Sequence, residues 1–107
     1  MSENLTELSN SNFDSQIKKG KWIVDFWAPW CGPCKIMSPH FEAAAKDFKG
    51  KINFAKVNID ENYEIANNFS VMSIPTIMFF SDGEVVHAEV GAMNKEQILE
   101  NISNVFK

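Results

Sequence analysis

The run from Trp22 to Ala28 constrains the fold more than any other stretch of this chain. It reads Trp-Ile-Val-Asp-Phe-Trp-Ala and does not alternate apolar with polar residues. A near-continuous apolar strand is typical of the centre of a sheet that is covered on both faces. Pro29 ends the run, and a helical pattern begins at Pro33. The chain is therefore expected to pass from a central strand into a helix between these two prolines.

Apolar periodicity and turn residues divide the whole chain into elements in the order β-α-β-α-β-α-β-β-α. The predicted elements are an edge strand within 1–8, a short helix beginning at 13, a strand over 22–27, a helix over 33–48, a strand over 52–59, a short helix capped by Asp60 and ending at 69, strands over 76–80 and 84–90, and a final helix capped by Asn94. Strands joined through helices are expected to pair in parallel, and the terminal hairpin adds an antiparallel edge. The fold class is α/β, with a central mixed sheet flanked by helices on both faces.

Length and charge narrow the class of protein. A chain of 107 residues is expected to form a single domain over 1–107. The net charge of −4 argues against a nucleic-acid partner, which needs a basic face. The N-terminus has neither the basic nor the apolar region of a secretory signal, and no apolar run approaches the roughly 20 residues that span a bilayer. A cytoplasmic protein with no membrane contact is expected.

The two cysteines carry the clearest chemical signal. Cys31 and Cys34 are separated by Gly32 and Pro33 and preceded by Trp30. The thiolate is the form that attacks a disulfide, and an ordinary cysteine is only about 3% thiolate at neutral pH. A cysteine at a helix start is stabilised as the anion by free N–H groups and by the helix dipole. Cys31 is thus predicted to be the nucleophile and Cys34 the resolving thiol.

Two other interpretations of the cysteine pair remain. A structural disulfide that closes a four-residue loop would stabilise the fold by only about 2 kcal/mol, and a reducing compartment opposes it. A zinc site needs about four ligands, and only His40 and His87 are available as additional histidines, without a standard spacing. A Cys-x-x-Cys pair near a β-α-β pattern favours a redox dithiol over both.

Three polar residues interrupt apolar patterns and have open interpretations. Asp25 lies in the most apolar strand, where it is either a hydrogen-bonded acid at a strand end or a buried acid with a pKa raised by desolvation. Lys56 interrupts the next strand, although most strand lysines extend to solvent. His40 follows Pro39 within the long helix and is expected to be exposed to solvent.

These motifs resemble those of the thioredoxin family over nearly the whole chain. The matching segments are 25–35 (Asp-Phe-Trp-Ala-Pro-Trp-Cys-Gly-Pro-Cys-Lys), 73–76 (Ser-Ile-Pro-Thr), 82–83 (Asp-Gly) and 90–92 (Val-Gly-Ala). The resemblance implies a thioredoxin fold and a protein-disulfide reductase that serves electron transport and cell redox homeostasis. It implies no bound cofactor, because a reversible Cys31–Cys34 disulfide carries the electrons. The expected partners are disulfide-containing target proteins and a thioredoxin reductase that draws on NADPH or ferredoxin, and the protein is expected to be a monomer.

The resemblance also assigns roles around the dithiol. Gly32 and Pro33 would tune the pair. Asp25 would accept the proton of Cys34, often through water, and Lys56 would modulate that acid.

By the same resemblance, a mostly apolar docking surface would consist of Trp30, Ile74, Pro75, Gly91 and Ala92, with a cis bond between Ile74 and Pro75. Met72 and Glu89 stand where basic residues are frequent in the family. They would make the rim of the docking surface less positive and change the preferred partners.

A function of another class uses the same surface. The chain would then be a redox-independent binding module or subunit, and neither cysteine would be required for its action.

Overall fold

A computed structural model describes residues 4–107, and its organising element is a five-stranded mixed sheet. The strands are β1 (Leu5–Glu7), β2 (Lys21–Trp27), β3 (Asn53–Asn58), β4 (Thr76–Ser81) and β5 (Glu84–Val90), and the helices are α1 (Phe13–Ile17), α2 (Gly32–Asp47), α3 (Tyr63–Asn68) and α4 (Lys95–Val105). The order of elements along the chain is the predicted one. Residues 1–3 of the predicted leader lie outside the described residues.

The strands lie in the order β1-β3-β2-β4-β5, with β2 at the centre. The parallel pairing predicted for strands joined through helices is confirmed for β1 with β3 and for β2 with β3. It is wrong for β4, which runs antiparallel to β2. The antiparallel part of the sheet therefore includes β4 and its hairpin partner β5, rather than one edge strand alone.

The lengths of the connecting helices explain the direction of β4. Helix α2 has 16 residues and spans about 24 Å, enough to return the chain along the sheet to the start of β3. Helix α3 has six residues and spans about 9 Å, whereas the six-residue β3 spans about 20 Å. The chain enters β4 at Thr76, opposite Phe26 near the end of β2, and β4 runs back in the opposite direction.

Both faces of the sheet are covered, as the apolar β2 predicts. Residues of one cluster come from the sheet, α2 and α4, and those of the other come from the sheet, α1 and α3. Ile23 of β2 belongs to the first cluster, whereas Trp22, Val24 and Phe26 belong to the second. Because side chains alternate along a strand, Asp25 points with Ile23 toward α2.

The end of the sheet at the start of β2 is closed by two reciprocal hydrogen bonds between distant turns. The N–H of Gly20 donates to Oδ1 of Asp82 at 2.8 Å, and the N–H of Asp82 donates to the carbonyl of Gly20 at 2.9 Å. Asp82 and Gly83 form the β4–β5 turn with φ values of 49° and 89°. Two successive positive φ values are typical of the tight hairpin turn that Asp-Gly predicts.

Helix α4 begins at the predicted cap residue Asn94, which forms a capping box with Gln97. The side chain of Asn94 accepts from the N–H of Gln97, and the side chain of Gln97 accepts from the N–H of Asn94, both at 2.9 Å. The predicted exposure of His40 is wrong, because its half-buried Nδ1 accepts from the N–H of Lys95 at 3.3 Å. Lys95 also pairs with Asp47 at 3.0 Å, so Lys95 adds polar contacts to the apolar packing of α4 on α2.

Among residues 4–107, none of the helices combines the length and the apolar character needed to cross a membrane.

The capping box gives a direct test of the fold. Asn94→Ala removes the side-chain acceptor of the first turn of α4, and we expect the free energy of unfolding to fall by about 1 kcal/mol. Asn104→Ala, at an exposed position of the same helix, is the matched control and should change it by less than about 0.5 kcal/mol. Urea unfolding of both variants measures the difference, and equal losses would contradict the role of the cap.

Candidate active site

The dithiol lies at the junction between the central strand and the long helix. Strand β2 ends at Trp27, and Cys31 is the N-cap residue of α2. The N–H of Cys31 donates to the carbonyl of Ala28 at 3.2 Å, and the N–H of Cys34 donates to the Sγ of Cys31 at 3.2 Å. The two sulfurs form a disulfide. Cys31 is therefore held where first-turn N–H groups and the helix dipole stabilise a thiolate.

The surroundings of the two cysteines differ more than their exposure does. Cys31 is 5% exposed and Cys34 is 3% exposed, so burial alone does not separate their roles. The Sγ of Cys31 faces outward to the carbonyl oxygen of Ile74 at 3.9 Å. Cys34 lies inward and shares a small cavity with Asp25. One sulfur borders the surface loops and the other borders the buried acid.

Asp25 is the buried acid, as the second interpretation of the sequence holds. Its side chain lies on the α2 face of β2, the residue is 1% exposed, and its Oδ1 has no hydrogen-bond partner. Desolvation by burial raises the pKa of Asp25 from 3.8 to about 7, and the positive charge of Lys56 offsets part of that rise. A carboxyl group with a pKa near neutrality can accept and return a proton at physiological pH.

Lys56 lies beside Asp25 in the sheet. The two residues are direct partners in the parallel register of β2 and β3, so both side chains point to the α2 face. The Nζ of Lys56 lies 4.3 Å from the centre of the Trp27 ring, which is cation–π distance. Lys56 is half-buried and lines the cavity with Asp25, rather than extending freely into solvent.

The loop before β4 and the loop after β5 lie at the same end of the sheet as the dithiol. Thr76 begins β4 opposite Phe26, and Val90 ends β5 opposite Thr76. The bond between Ile74 and Pro75 is cis, and the N–H of Gly91 donates to the carbonyl of Pro75 at 2.9 Å. The antiparallel direction of β4 thus brings both loops beside the dithiol.

Gly91 occupies a backbone conformation that other residues rarely adopt. Its φ is 106°, and a Cβ built at this position meets no atom within 4 Å. The positive φ, and not a lack of space, therefore explains why position 91 is a glycine. The open space beside it leaves room for a docked partner.

The side chain of Trp30 is held by Asp60, which the sequence predicts to be the cap of α3. Its indole is 67% exposed, and its Nε1–H donates to both carboxylate oxygens of Asp60, at 3.0 and 3.1 Å. The prediction that Asp60 caps α3 is wrong: the N-cap residue is Asn62. Asp60 lies just after the end of β3, and Trp30 lies just after the end of β2, its parallel neighbour. Because parallel strands end at the same edge of the sheet, the sequence positions of the two residues could have predicted their contact.

The two residues expected to alter the rim differ in their surroundings. Met72 is 93% exposed and projects its side chain into solvent. Glu89 lies on β5, and its Oε2 is 2.7 Å from Nε2 of His87. The charge of Glu89 is therefore partly engaged within the strand, whereas Met72 is free to contact a partner.

The part of the chain that the structure covers contains no group of three or more His, Cys, Asp or Glu residues arranged to hold a metal ion.

Comparison with known proteins agrees with this geometry. The family model "Thioredoxin" matches residues 4–104. A thioredoxin of Staphylococcus saprophyticus subsp. saprophyticus is 48% identical over 98 residues, which cover 92% of this chain and 94% of the relative. Thioredoxins of Staphylococcus haemolyticus and Staphylococcus epidermidis are 47% and 46% identical over 96 residues, in both cases 90% of this chain and 92% of the relative.

The chain belongs to the thioredoxin family. It is a thiol-disulfide oxidoreductase, a protein-disulfide reductase with a redox-active cysteine pair. Its fold is the α/β thioredoxin fold with a mixed five-stranded sheet.

The buried acid predicts a pH-dependent stability difference. Because folding raises the pKa of Asp25, the folded state binds its proton more tightly than the unfolded state does. The stabilisation that the folded state gains from the protonated Asp25 is complete below pH 3.8 and is lost as the pH rises through about 7. We expect Asp25→Asn, measured on the oxidised protein by urea unfolding, to be more stable than wild type by about 3 to 4 kcal/mol above that range.

The advantage of Asp25→Asn should shrink steadily toward acid pH, because both proteins then carry a neutral side chain at this position. Asp14→Asn, at an exposed position of α1, is the matched control and should show no comparable gain. An advantage that stays constant over the whole pH range would contradict a desolvated carboxyl group.

Proposed function

We propose that Cys31 attacks the target disulfide, that Cys34 resolves the mixed disulfide, and that Asp25 takes the proton of Cys34. The observation that carries this assignment is the asymmetry of the pair: Cys31 is the N-cap residue of α2 beside the surface loops, and Cys34 borders the cavity of Asp25. Gly32 and Pro33 lie exposed between them and tune the dithiol by shaping the first turn of the helix.

The reaction balances as a two-electron exchange. The Cys31 thiolate forms a bond to one target sulfur, and the other target sulfur leaves as a thiolate that takes up a proton. Cys34 gives its proton to the Asp25 carboxylate, and its thiolate attacks the Sγ of Cys31. The bond from Cys31 to the target breaks, and the second target sulfur leaves as a thiolate that takes up a proton. The target is thereby reduced to a dithiol, and Cys31–Cys34 becomes a disulfide.

Lys56 modulates this proton transfer in the proposal. Its positive charge opposes the desolvation that raises the pKa of Asp25, so it keeps the carboxyl group able to ionise near neutral pH. Its ammonium group lies over the Trp27 ring, which supports its position beside the cavity.

The proposed docking surface consists of Trp30, Ile74, Pro75, Gly91 and Ala92. Trp30 supplies an exposed aromatic platform beside Cys31. Ile74 has its carbonyl group next to the Sγ of Cys31, and an extended target segment can pair with this backbone as an added strand. Met72 extends the surface with an apolar, uncharged side chain, which favours partners that are less acidic than those of a basic rim.

Disulfide-containing targets and recycling by a reductase are general to this family. For this chain, we propose a thioredoxin reductase as the electron source, no bound cofactor, and action as a monomeric domain over 1–107. The cytoplasm is the proposed compartment, because a reducing compartment keeps an exchangeable dithiol available.

Single substitutions of the two cysteines test the assignment. With dithiothreitol as electron source, we expect Cys31→Ser to lose insulin-disulfide reduction, because no thiolate remains at the helix start. We expect Cys34→Ser to hold a target peptide as a stable mixed disulfide on Cys31, visible by mass spectrometry. Full insulin-disulfide reduction by Cys31→Ser would contradict the assignment of Cys31 as the attacking thiolate.

The contact between Trp30 and Asp60 tests the docking surface. Asp60→Ala frees the indole, and we expect KM for a protein disulfide to rise about 3-fold while the rate with a small disulfide is unchanged. Glu61→Ala removes the neighbouring exposed carboxylate and is the matched control. Steady-state kinetics with insulin and with a small aryl disulfide separate the two effects, and equal losses with both substrates would contradict a docking role.

A further inference from the structure

A small cavity lies beneath the inner cysteine, between the sheet and the first turns of α2. Its volume is about 70 Å³, and a water molecule needs about 10 to 15 Å³ measured in the same way. The lining residues are Asp25, Trp27, Cys34, Lys35, Ser38 and Lys56. The roles proposed above use four of these residues and leave Lys35 and Ser38 without one.

Two buried polar atoms next to the cavity lack a partner within the protein. They are the Oδ1 of Asp25 and the Nε1 of Trp27. A buried polar atom without a hydrogen bond costs about 1 to 3 kcal/mol, and most such atoms are satisfied by protein or by ordered water. The cavity therefore has both the room and the polar partners that an ordered water requires.

Ser38 faces this cavity from the helix that carries the dithiol. It follows Cys34 by four residues in α2, so the two side chains lie on the same face of the helix, one turn apart. Helix serines commonly bond back to the carbonyl four residues earlier. Within residues 4–107, the Ser38 hydroxyl makes neither that bond nor any other hydrogen bond, and the half-buried residue is free to use it in the cavity.

The donor and acceptor types of the lining residues distinguish Ser38 further. The Trp27 indole and the ammonium groups of Lys35 and Lys56 only donate hydrogen bonds. A hydroxyl accepts one hydrogen bond while it donates another, without changing its charge. Apart from the reacting Cys34 and Asp25, Ser38 is thus the lining side chain that can hold a water in either direction of proton transfer.

We propose that Ser38 is a positioning residue for the resolving step, whose hydroxyl orients a water between the Cys34 thiol and the Asp25 carboxylate. The inference rests on the roles proposed above for Cys31, Cys34 and Asp25. The proton leaves Cys34 for the water as the water gives a proton to Asp25. The Cys34 thiolate then attacks Cys31 as before, and Ser38 is unchanged at the end of the step.

The test isolates the resolving step. A mixed disulfide between Cys31 and a peptide thiol is prepared in acid, where Cys34 is protonated. Release of the peptide thiol is then followed by rapid acid quench after jumps to pH values between about 5 and 9. Attack by Cys31 is measured separately in a Cys34→Ser background, with and without Ser38→Ala.

We expect Ser38→Ala to slow peptide release about 5-fold near neutral pH, which corresponds to about 1 kcal/mol in the barrier. The deficit should vanish at the alkaline end of the profile, where hydroxide removes the Cys34 proton without the relay. Ser38→Thr keeps the hydroxyl and should restore most of the rate. The attack by Cys31 should be the same with and without Ser38→Ala.

Ser103→Ala, at an exposed position of α4, is the matched control and should leave the profile unchanged. A Ser38→Ala profile that coincides with wild type would overturn the proposal, as would a deficit that is equal at all pH values or that Ser38→Thr does not restore. If Cys34→Ser fails to hold the peptide on Cys31, the assigned roles of the cysteines are wrong, which is a separate outcome.

Discussion

Desolvation of the Asp25 carboxyl group is the interaction on which the site depends. The carboxyl group lies on the α2 face of the central strand, where Ile23 and Ile77 beside it are buried and apolar and Lys56 is its charged neighbour. An ionised carboxylate is unfavourable there, so burial raises the pKa of Asp25 to about 7. The same burial that weakens the fold at high pH underlies the role proposed for Asp25 as acceptor of the Cys34 proton.

The direction of β4 places the remaining parts of the site. Helix α3 is short, and β4 starts beside the end of β2, with Thr76 opposite Phe26. The cis bond before Pro75 therefore lies next to Cys31, and the hairpin to β5 returns the chain to Gly91 at the same end. If β4 ran parallel to β2, it would begin at the opposite end of the sheet, and the loop before it would lie far from the dithiol.

Much of this arrangement could be predicted because local patterns determine it. The continuous apolar run predicts the central strand, Asp82-Gly83 predicts the hairpin turn, and Asn94 with Gln97 predicts the capping box. The direction of β4 could not be predicted from pairing rules alone, because it depends on the length that α3 spans in space.

Contacts between distant segments were also missed. The bond of Trp30 to Asp60 joins residues 30 positions apart, and His40 meets the backbone of Lys95 at a helix contact 55 positions apart. Ser38 gave no signal, because its importance depends on the cavity that the folded sheet and helix leave between them.

The reciprocal hydrogen bonds between Gly20 and Asp82 have a consequence for how the family can diversify. They fix the relative register of β2 and β4 at the end of the sheet where no chemistry takes place. Substitutions in the loops near Cys31 can therefore accumulate without sliding these strands past each other. The contacts that maintain strand alignment thus lie at the opposite end of the sheet from the loops proposed to bind substrates, and those loops can change without disturbing the alignment.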